Sequence, residues 1–307
     1  MTGSAQTTRQ RLVLFTLRTA RRVFTDTPIE RLPITGWIRS HLFRAAYGSG
    51  ELEATIRGLT LALPGGDISM VPSLVAGYHE ELELEIFERM AQESSVIADV
   101  GANVGLYTCV GARAMPSGTV VAFEPAPANL EFLRRNVERN GVADRVAVVA
   151  EAVSDAPGQA RFFLSDGIGN HSLASENAGS ERHLDVSVTT VDQHFGGGHV
   201  DILKVDVEGF DTHVLKGARE TLAAHHPAVF VELLTSHLEQ GGISPQDLVN
   251  ALADQYAHIF VVDNVRRTVK ESTRDELLTL AGQQVHTNLI AVDRPEQLAA
   301  VTSFGGR

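Results

Sequence analysis

Short apolar runs alternate with longer amphipathic stretches along most of the chain. Windows rich in β-branched and other apolar residues predict strands at residues 96–100, 119–123, 146–150, 161–164, 184–191, 200–207, 228–231, 258–262 and 288–292. Apolar residues at helical spacing predict helices between them, at 81–91, 128–141, 210–217 and 246–252. This alternation predicts an α/β fold on a mostly parallel, doubly wound sheet.

The first 70 residues follow a different pattern. Residues 10–24 mix apolar side chains with arginines and predict a basic amphipathic helix. Such a helix lies on an anionic membrane surface or, more often, packs against its own protein or a second subunit. Peripheral membrane contact and a homo-oligomer are therefore both alternatives. A short helix over 36–46 and a hairpin over 51–63 follow. We divide the chain into an accessory region, 1–70, expected to cap a binding site, and a main domain, 71–307.

The composition indicates which kinds of binding partner and which cellular compartment are compatible with the chain. The formal net charge is −12, which disfavours a nucleic-acid backbone as partner. No apolar run approaches the ~20 residues of a membrane span. The single cysteine, Cys109, fits a small core residue in a reducing compartment, so we expect a cytoplasmic location. Zinc-type spacings of cysteine and histidine are absent from the sequence, and spacing therefore predicts no metal site.

One stretch carries the clearest chemical signal. After the first apolar strand, the glycines of Asp99-Val100-Gly101-Ala102-Asn103-Val104-Gly105 predict a tight turn into a helix whose N-terminus faces a ligand. A dinucleotide-binding turn has the pattern G-x-G-x-x-G, and Asn103 stands at the place of its second glycine. We expect Asp99 to face the ligand from the strand end. A carboxylate there repels a pyrophosphate and suits a cation such as the sulfonium of S-adenosylmethionine. A plain turn without a ligand is the alternative.

A second acid follows at the end of the next strand. Glu124 lies 25 positions after Asp99, near the ~20-residue offset at which an acid accepts hydrogen bonds from ribose hydroxyls in βαβ nucleotide sites. Pro125 and Pro127 then favour a turn, and a solvated acid before that turn is the alternative role for Glu124. Two acids at neighbouring strand ends favour a nucleoside-type cofactor.

The predicted strand over 200–207 ends in charged residues. Side chains alternate along a strand, which places Lys204, Asp206 and Glu208 on one face. Charges at a buried strand end are costly without a purpose, and ligands of α/β sheets bind beyond such ends. We predict that Asp206 or Glu208 accepts the proton of a substrate hydroxyl, while Lys204 orients the acids or the acceptor. Glu232 and His237 are second choices for this role. A structural Lys204–Asp206 salt bridge is the alternative.

Together these motifs resemble the FkbM family of S-adenosylmethionine-dependent methyltransferases. The resemblance is carried by Asp99–Gly105, Ala122–Pro125 and Leu203–Gly209, and it extends from about Gly77 to about Val292. It implies a class I methyltransferase fold, with a seven-stranded, mostly parallel sheet and an antiparallel last strand, preceded by the N-terminal helical and hairpin extension. It also implies methyl transfer from S-adenosylmethionine to a hydroxyl of a sugar, glycan or polyketide-type metabolite.

The resemblance implies roles for individual residues as well. Tyr78 and Glu80 match an aromatic–Glu pair that helps to close the cofactor pocket, and helix capping is an equal alternative. The backbone after the third strand, at Ala152 and Val153, is expected to border the adenine. The Gly/Ser/Asn-rich loop 165–180 is expected near the substrate, which makes its His171 and Ser172, together with His237, candidate substrate contacts. The residues predicted to bind the cofactor are Tyr78, Glu80, Asp99, Gly101, Ala102, Asn103, Gly105, Glu124, Pro125, Ala152, Val153 and Asp206.

Several alternatives stay open at this point. Paired acids also hold Mg²⁺ in some proteins, although the spacing supports a metal only weakly. A nucleotide-dependent oxidoreductase on a Rossmann-like fold would share the strand–turn–helix pattern, but the missing second glycine disfavours it. A non-catalytic module that binds the cofactor would keep the pocket, but the acids of the catalytic strand disfavour it. The residues alone leave N-methylation beside O-methylation, and acceptor pockets are built from loops that no motif describes.

Overall fold

The computed structural model of the protein describes residues 8–24, 41–67, 70–164, 173 and 182–304. Its strands are β1 (Glu51–Ile56), β2 (Leu59–Pro64), β3 (Val96–Val100), β4 (Thr119–Phe123), β5 (Val146–Val149), β6 (Ala152–Val153), β7 (Gly158–Phe163), β8 (His183–Thr189), β9 (Ile202–Val205), β10 (Ala228–Leu234), β11 (His258–Asp263), β12 (Thr268–Glu271) and β13 (His286–Val292). Its helices are α1 (Thr8–Phe24), α2 (41–47), α3 (Val71–Ala76), α4 (Glu81–Ala91), α5 (Leu106–Ala114), α6 (Pro127–Arg139), α7 (Val191–Phe195), α8 (Asp211–Lys216), α9 (Arg219–His225), α10 (Thr235–Gln240), α11 (Pro245–Ala253), α12 (Arg274–Ala281) and α13 (Pro295–Thr302).

The central sheet of the described chain has eight strands in the order β12-β11-β13-β10-β9-β3-β4-β5. From β5 to β10 the neighbours pair in parallel, whereas β13 lies antiparallel between β10 and β11. The class I methyltransferase fold predicted from the sequence, a mostly parallel sheet with an antiparallel last strand, is confirmed. The prediction of seven strands misses β12, which pairs antiparallel with β11 at one edge of the sheet.

Helices cover both faces of this sheet, which explains why its strands are apolar almost throughout. On one face, α4, α5, α6 and α13 pack in a cluster that includes Phe87, Ile202 and Phe230. On the other face, α7, α8, α9, α11 and α12 pack in a cluster that includes Leu203 and Val229. Adjacent residues of one strand thus serve opposite faces. With both faces buried, the strand ends remain as the place for a ligand.

A smaller sheet lies beyond the end of β5. In it β6 pairs in parallel with β8, and β7 pairs antiparallel with β8. Its Phe162 and Val186 pack with Ala126, which directly follows Glu124 and Pro125 at the end of β4. Two of the predicted strands, over 161–164 and 184–191, belong to this sheet. The second one ends at Thr189, because the side chain of Thr190 caps α7.

The predicted hairpin is present as β1 and β2, and it is held against α6 by side-chain amides. Asn136 Oδ1 accepts from Ala62 N at 2.7 Å and Asn140 Oδ1 accepts from Thr60 N at 2.9 Å, while both amide nitrogens donate to the carbonyls of the same two residues. The amides therefore satisfy strand-edge groups as a neighbouring strand would. The hairpin contributes no residue to the cleft described below, so the expected cap is not formed by its described residues. The domain boundary at residue 70 stays a prediction.

The helix α1 is amphipathic, as predicted. It buries Leu14 and Leu17 and exposes Leu12 and Phe15, whose side chains are 64% and 67% accessible. Contact with a membrane surface or a second subunit stays a prediction. Among the described helices, none has the length and apolar character needed to cross a bilayer. Cys109 lies buried in α5, and burial raises the pKa of its thiol to about 12, which fits the predicted core role.

Candidate active site

A cleft opens at the C-terminal ends of the parallel strands, where ligands of such sheets bind. Its lining residues are Met70, His79, Glu80, Val100, Gly101, Asn103, Phe123, Glu124, Pro125, Asn129, Glu151, Ala152, Val153, Phe162, Leu173, Asp206, Val207, Glu208, Phe210, Glu232, Leu234, His237 and His286. The cleft thus brings together most of the residues predicted from the sequence. We call the part over β3, β4 and β5 the cofactor end, and the part over β9, β10 and β13 the acceptor end.

The glycine turn forms the floor of the cofactor end. Gly101 has φ +82°, and a Cβ at this position would lie 1.9 Å from the carbonyl oxygen of Asp206. Only glycine therefore lets the turn and the end of β9 approach this closely. The Gly101 and Ala102 N–H groups donate to Phe123 O at 3.0 and 2.9 Å. Asn103 adopts φ +52°, and its Oδ1 is buried without a hydrogen-bond partner among the described residues. An unsatisfied buried acceptor at a cleft wall suits a ligand donor.

Glu124 is fixed beside this turn by backbone donors. Its Oε2 accepts from Asn103 N at 2.9 Å and its Oε1 accepts from Ala126 N at 2.8 Å. Burial raises the pKa of Glu124 to about 7, against these hydrogen bonds, which lower it. Each carboxylate oxygen has a second lone pair, so Glu124 is placed to accept further hydrogen bonds from hydroxyls at the cofactor end.

The structure corrects the predicted orientation of Asp99. This residue is fully buried and does not line the cleft. Its Oδ2 accepts from Thr108 Oγ1 of α5 at 2.5 Å, and its strand register places it beside Lys204. Burial raises the pKa of Asp99, while Lys204 acts to lower it. Asp99 precedes the turn by two residues, and strand alternation turns its side chain under the helix rather than towards the ligand.

Lys204 lies behind the cleft and neutralises its floor. Its Nζ donates to Asp206 Oδ2 at 3.0 Å and lies 4.9 Å from the centre of the Tyr107 ring. Burial acts to lower the pKa of this ammonium, but Asp206, Asp99 and Glu80 together hold it above its ordinary value. Lys204 in turn keeps the pKa of Asp206 below its ordinary value in spite of burial. The salt bridge considered from the sequence is present, and it leaves Asp206 a carboxylate of low basicity.

Glu208 reaches the cleft by a route that strand alternation does not describe. β9 ends at Val205, and Glu208 has φ +53°. Gly209 follows at φ +93°, where a Cβ would lie 2.4 Å from His237 O. This contact brings the loop against α10, and Glu208 Oε2 lies 2.5 Å from His237 Nδ1. Burial, with the charges of Asp206 and Glu232, raises the pKa of Glu208 to about 8, and the bond to Glu208 raises the pKa of His237.

A second carboxylate–histidine pair lies on the neighbouring strands. Glu232 falls inside β10, which extends to Leu234, and not at the strand end that the sequence predicts. Its Oε1 lies 2.5 Å from His286 Nε2, at the start of the antiparallel β13. The bond to Glu232 raises the pKa of His286 to about 9. His286 was missed because it lies 54 residues from its partner, and only the pairing of β10 with β13 brings them together.

Glu80 closes the acceptor end from the start of α4. Its Oε2 accepts from Tyr107 Oη at 2.9 Å and its Oε1 accepts from Asn288 Nδ2 at 3.1 Å. His79 Nε2 lies 3.5 Å from the same carboxylate. Glu80 also occupies the N-terminal flank of α4, but its side chain makes no cap hydrogen bond there. Its bonds face the cleft network, as the pocket role predicted for it requires.

Of the remaining residues predicted to bind the cofactor, some line the cleft and others lie behind it. Pro125, Ala152 and Val153 line the cofactor end, whereas Tyr78 does not line the cleft. Gly105 lies behind the turn, where a Cβ would come within 2.6 Å of the side chain of Leu133.

The predicted substrate loop falls largely outside the described residues. His171 and Ser172 belong to that part of the chain, although the adjacent Leu173 lines the cleft. Asp211 was not singled out from the sequence. It accepts hydrogen bonds from the N–H groups of Val207 and Gly209 and so holds the loop between β9 and α8 in place. Among the described residues, no group of three or more acidic, histidine or cysteine side chains is arranged to hold a metal ion.

Comparison with known proteins agrees with this geometry. The family model described as Methyltransferase FkbM domain matches residues 99–267. Methyltransferase sdnD of Sordaria araneosa is 28% identical over 182 residues, which cover 49% of this chain and 69% of that protein. The 31-O-demethyl-FK506 methyltransferase FkbM of Streptomyces tacrolimicus is 38% identical over 111 residues, or 34% and 41% of the two chains. Hexuronic acid methyltransferase AglP of Haloferax volcanii is 28% identical over 169 residues, or 53% and 64%. The matches span from 41% to 69% of these relatives' lengths.

Proposed function

Because the matched region covers more than half of its length, the chain belongs to the FkbM-domain methyltransferases, and from this premise we propose an O-methyltransferase. It transfers the methyl group of S-adenosylmethionine to a hydroxyl of a sugar, glycan or polyketide-type metabolite. Relatives named for a hexuronic acid and for a demethylated FK506 support these acceptor classes. The observation that carries the proposal is the Glu208–His237 pair. Glu208 lies in the loop after β9, and the backbone of this loop meets the glycine turn where Asp206 contacts Gly101.

The residues of the cofactor end fit S-adenosylmethionine. The orphaned Oδ1 of Asn103 is an acceptor for an amino group, and Glu124 is an acceptor for ribose hydroxyls. Ala152 and Val153 supply an apolar wall for a flat ring. Acidic side chains outnumber basic ones in the lining, which suits a cationic cofactor and disfavours the pyrophosphate of a nicotinamide dinucleotide. The oxidoreductase alternative therefore has less support than the methyltransferase.

When bound, the cofactor supplies an electrophilic methyl group. The chain's own residues must hold the acceptor oxygen in line with that group and take up its proton. Asp206 is a weak base, because Lys204 stabilises its charge. In the Glu208–His237 pair, Nδ1 of the imidazole is engaged by the carboxylate, which leaves Nε2 for the hydroxyl proton. The carboxylate fixes the ring orientation and stabilises the imidazolium that forms. We assign the base to this pair, with Glu208 as the orienting member.

The test is methyl transfer from labelled S-adenosylmethionine to a panel of sugars, glycans and polyketide alcohols, with cofactor binding followed by calorimetry. We expect His237→Gln and Glu208→Gln to keep cofactor binding and to lose about 10²-fold or more in kcat, the usual contribution of a general base. The matched control is Glu271→Gln, which breaks the exposed His258–Glu271 pair at the sheet edge. Full activity in both cleft variants would refute the assigned base, and a chain that does not bind the cofactor would refute the function.

Finer features of the proposal concern location and partners. We propose a cytoplasmic enzyme that acts on a small-molecule or glycan acceptor. The acidic net charge supports the absence of a nucleic-acid partner. The exposed Leu12 and Phe15 of α1, beside Arg9 and Arg11, support contact with an anionic membrane surface or a second copy of the chain.

A further inference from the structure

The acceptor end has an unusual wall, in which carboxylates alternate with bases. Three of its acids stand beside a histidine, Glu80 with His79 at 3.5 Å, Glu208 with His237 at 2.5 Å and Glu232 with His286 at 2.5 Å, and the fourth, Asp206, is paired at 3.0 Å with Lys204 behind the cleft. They reach the cleft from the start of α4, from β9 and the loop after it, from β10 and the helix α10, and from the start of β13. A wall built in this way offers hydrogen-bond donors and acceptors side by side.

The Glu232–His286 pair has no part in the proposed proton transfer. Among the described residues, Oε1 of Glu232 contacts Nε2 of His286, and neither side chain makes another hydrogen bond. The second carboxylate oxygen therefore remains as an acceptor, and Nδ1 is a donor in the protonated ring, the form that the bond to Glu232 favours. The Glu232 side chain is 19% exposed and the His286 side chain is 65% exposed, so the pair stands at the mouth of the cleft. The register of β9 with β10 ends at the pair Val205 and Val231, which directly precede Asp206 and Glu232.

We propose that the Glu232–His286 pair binds the hydroxyl next to the one that is methylated, and that the acceptor is an uncharged sugar ring with a vicinal diol. This inference rests on the proposed function and selects among its acceptor classes. The adjacent hydroxyl donates a hydrogen bond to the carboxylate and accepts one from the imidazolium. The pair therefore satisfies both the donor and the acceptor of this one hydroxyl.

The same wall disfavours two other kinds of acceptor, an apolar macrolide and a uronate. An apolar macrolide face would strip water from four charged or polar pairs without replacing their hydrogen bonds, which is costly. A uronate would bring a further carboxylate next to Glu80, Asp206 and Glu232, where like charges repel. A neutral polyol avoids both penalties.

The experiment compares the kcat/KM of the full chain for four acceptors. These are a neutral methyl hexopyranoside, its analogue that lacks the hydroxyl next to the methylated one, the matching methyl hexuronide and a macrolide alcohol. We expect the neutral sugar to be preferred and the deoxy analogue to lose about 10- to 100-fold, as for hydrogen bonds to charged groups. This arm requires no variant and so does not depend on whether a variant folds.

A second arm links that loss to the pair. His286→Gln and Glu232→Gln are expected to raise KM for the complete sugar about 10-fold and to leave KM for the deoxy analogue unchanged, whereas Glu271→Gln leaves both unchanged. An equal effect on both sugars, or a preference for the uronide or the macrolide, would overturn the inference while the methyltransferase function stands. No transfer to any acceptor would overturn the proposed function and this inference with it.

Discussion

Replacing Lys204 by methionine tests whether the buried cation is required under the catalytic floor. Lys204 is 6% exposed and has the buried Asp99 as a register neighbour, and its Nζ lies 3.0 Å from Asp206 Oδ2. Lys204→Met keeps most of the side-chain volume and leaves both carboxylates without their cation. Breaking a buried pair by removing one partner costs about 3–5 kcal/mol. An unfolding entropy of about 2.1 cal/mol/K per residue gives about 0.6 kcal/mol/K for 307 residues. The expected fall in Tm is therefore about 5–8 °C.

Thermal unfolding followed by circular dichroism measures this change, with Lys270→Met as the matched control. Lys270 pairs with Glu276 at 2.7 Å, but the two side chains are 68% and 48% exposed, so water screens the pair and its loss is expected to change Tm little. Adding Asp206→Asn to Lys204→Met removes one unpaired carboxylate and should restore part of the lost stability. Equal Tm values for Lys204→Met and Lys270→Met would refute the reasoning.

Three further predictions follow from the site. Glu208→Gln removes the carboxylate that raises the pKa of His237, so the midpoint of the kcat/KM profile should move to lower pH as the rate falls; an unmoved midpoint would contradict the assigned base. Gly101→Ala places a methyl group 1.9 Å from a backbone oxygen, whereas Gly50→Ala meets open space; we expect the first to weaken cofactor binding at least about 10-fold by calorimetry or to prevent folding, and the second to do neither. Glu124 has a pKa of about 7 in the folded chain against 4.5 ordinarily, so its stabilisation is present at low pH and is lost as pH rises from 4.5 to 7. Glu124→Gln should flatten the fall in the free energy of unfolding across pH 5 to 7 by up to about 1.4 kcal/mol per pH unit, and equal slopes in urea titrations would exclude this role.

Local sequence patterns were sufficient for the scaffold and for the cofactor end. The glycine turn, the acid after β4 and the wall at Ala152 and Val153 each follow a strand within a few residues, so strand prediction alone places them. The helix over 81–91 was predicted with the bounds of α4 for the same reason, because its apolar positions repeat at helical spacing. The short edge strand β12 escaped notice because only one of its four residues, Val269, is apolar.

The acceptor end was harder to predict, because its partners are distant in sequence. His286 and Asn288 belong to the antiparallel β13, and their side chains meet Glu232 and Glu80 only once that strand enters the sheet. Asp99 was assigned the wrong direction because the prediction considered its place at the strand end and not the face it occupies. Glu208 was placed correctly for an incorrect reason, since the strand ends before it and a left-handed backbone turn sets its direction.

The contact between Gly101 and the carbonyl of Asp206 also limits how the enzyme can move. Asp206 N donates to Val100 O at 3.0 Å, so the glycine turn and the loop after β9 are held together by a hydrogen bond as well as by close packing. A larger side chain at this contact would therefore displace both loops at once. Mutagenesis aimed at acceptor choice has more room at His286, whose side chain is 65% exposed, than at this packed contact.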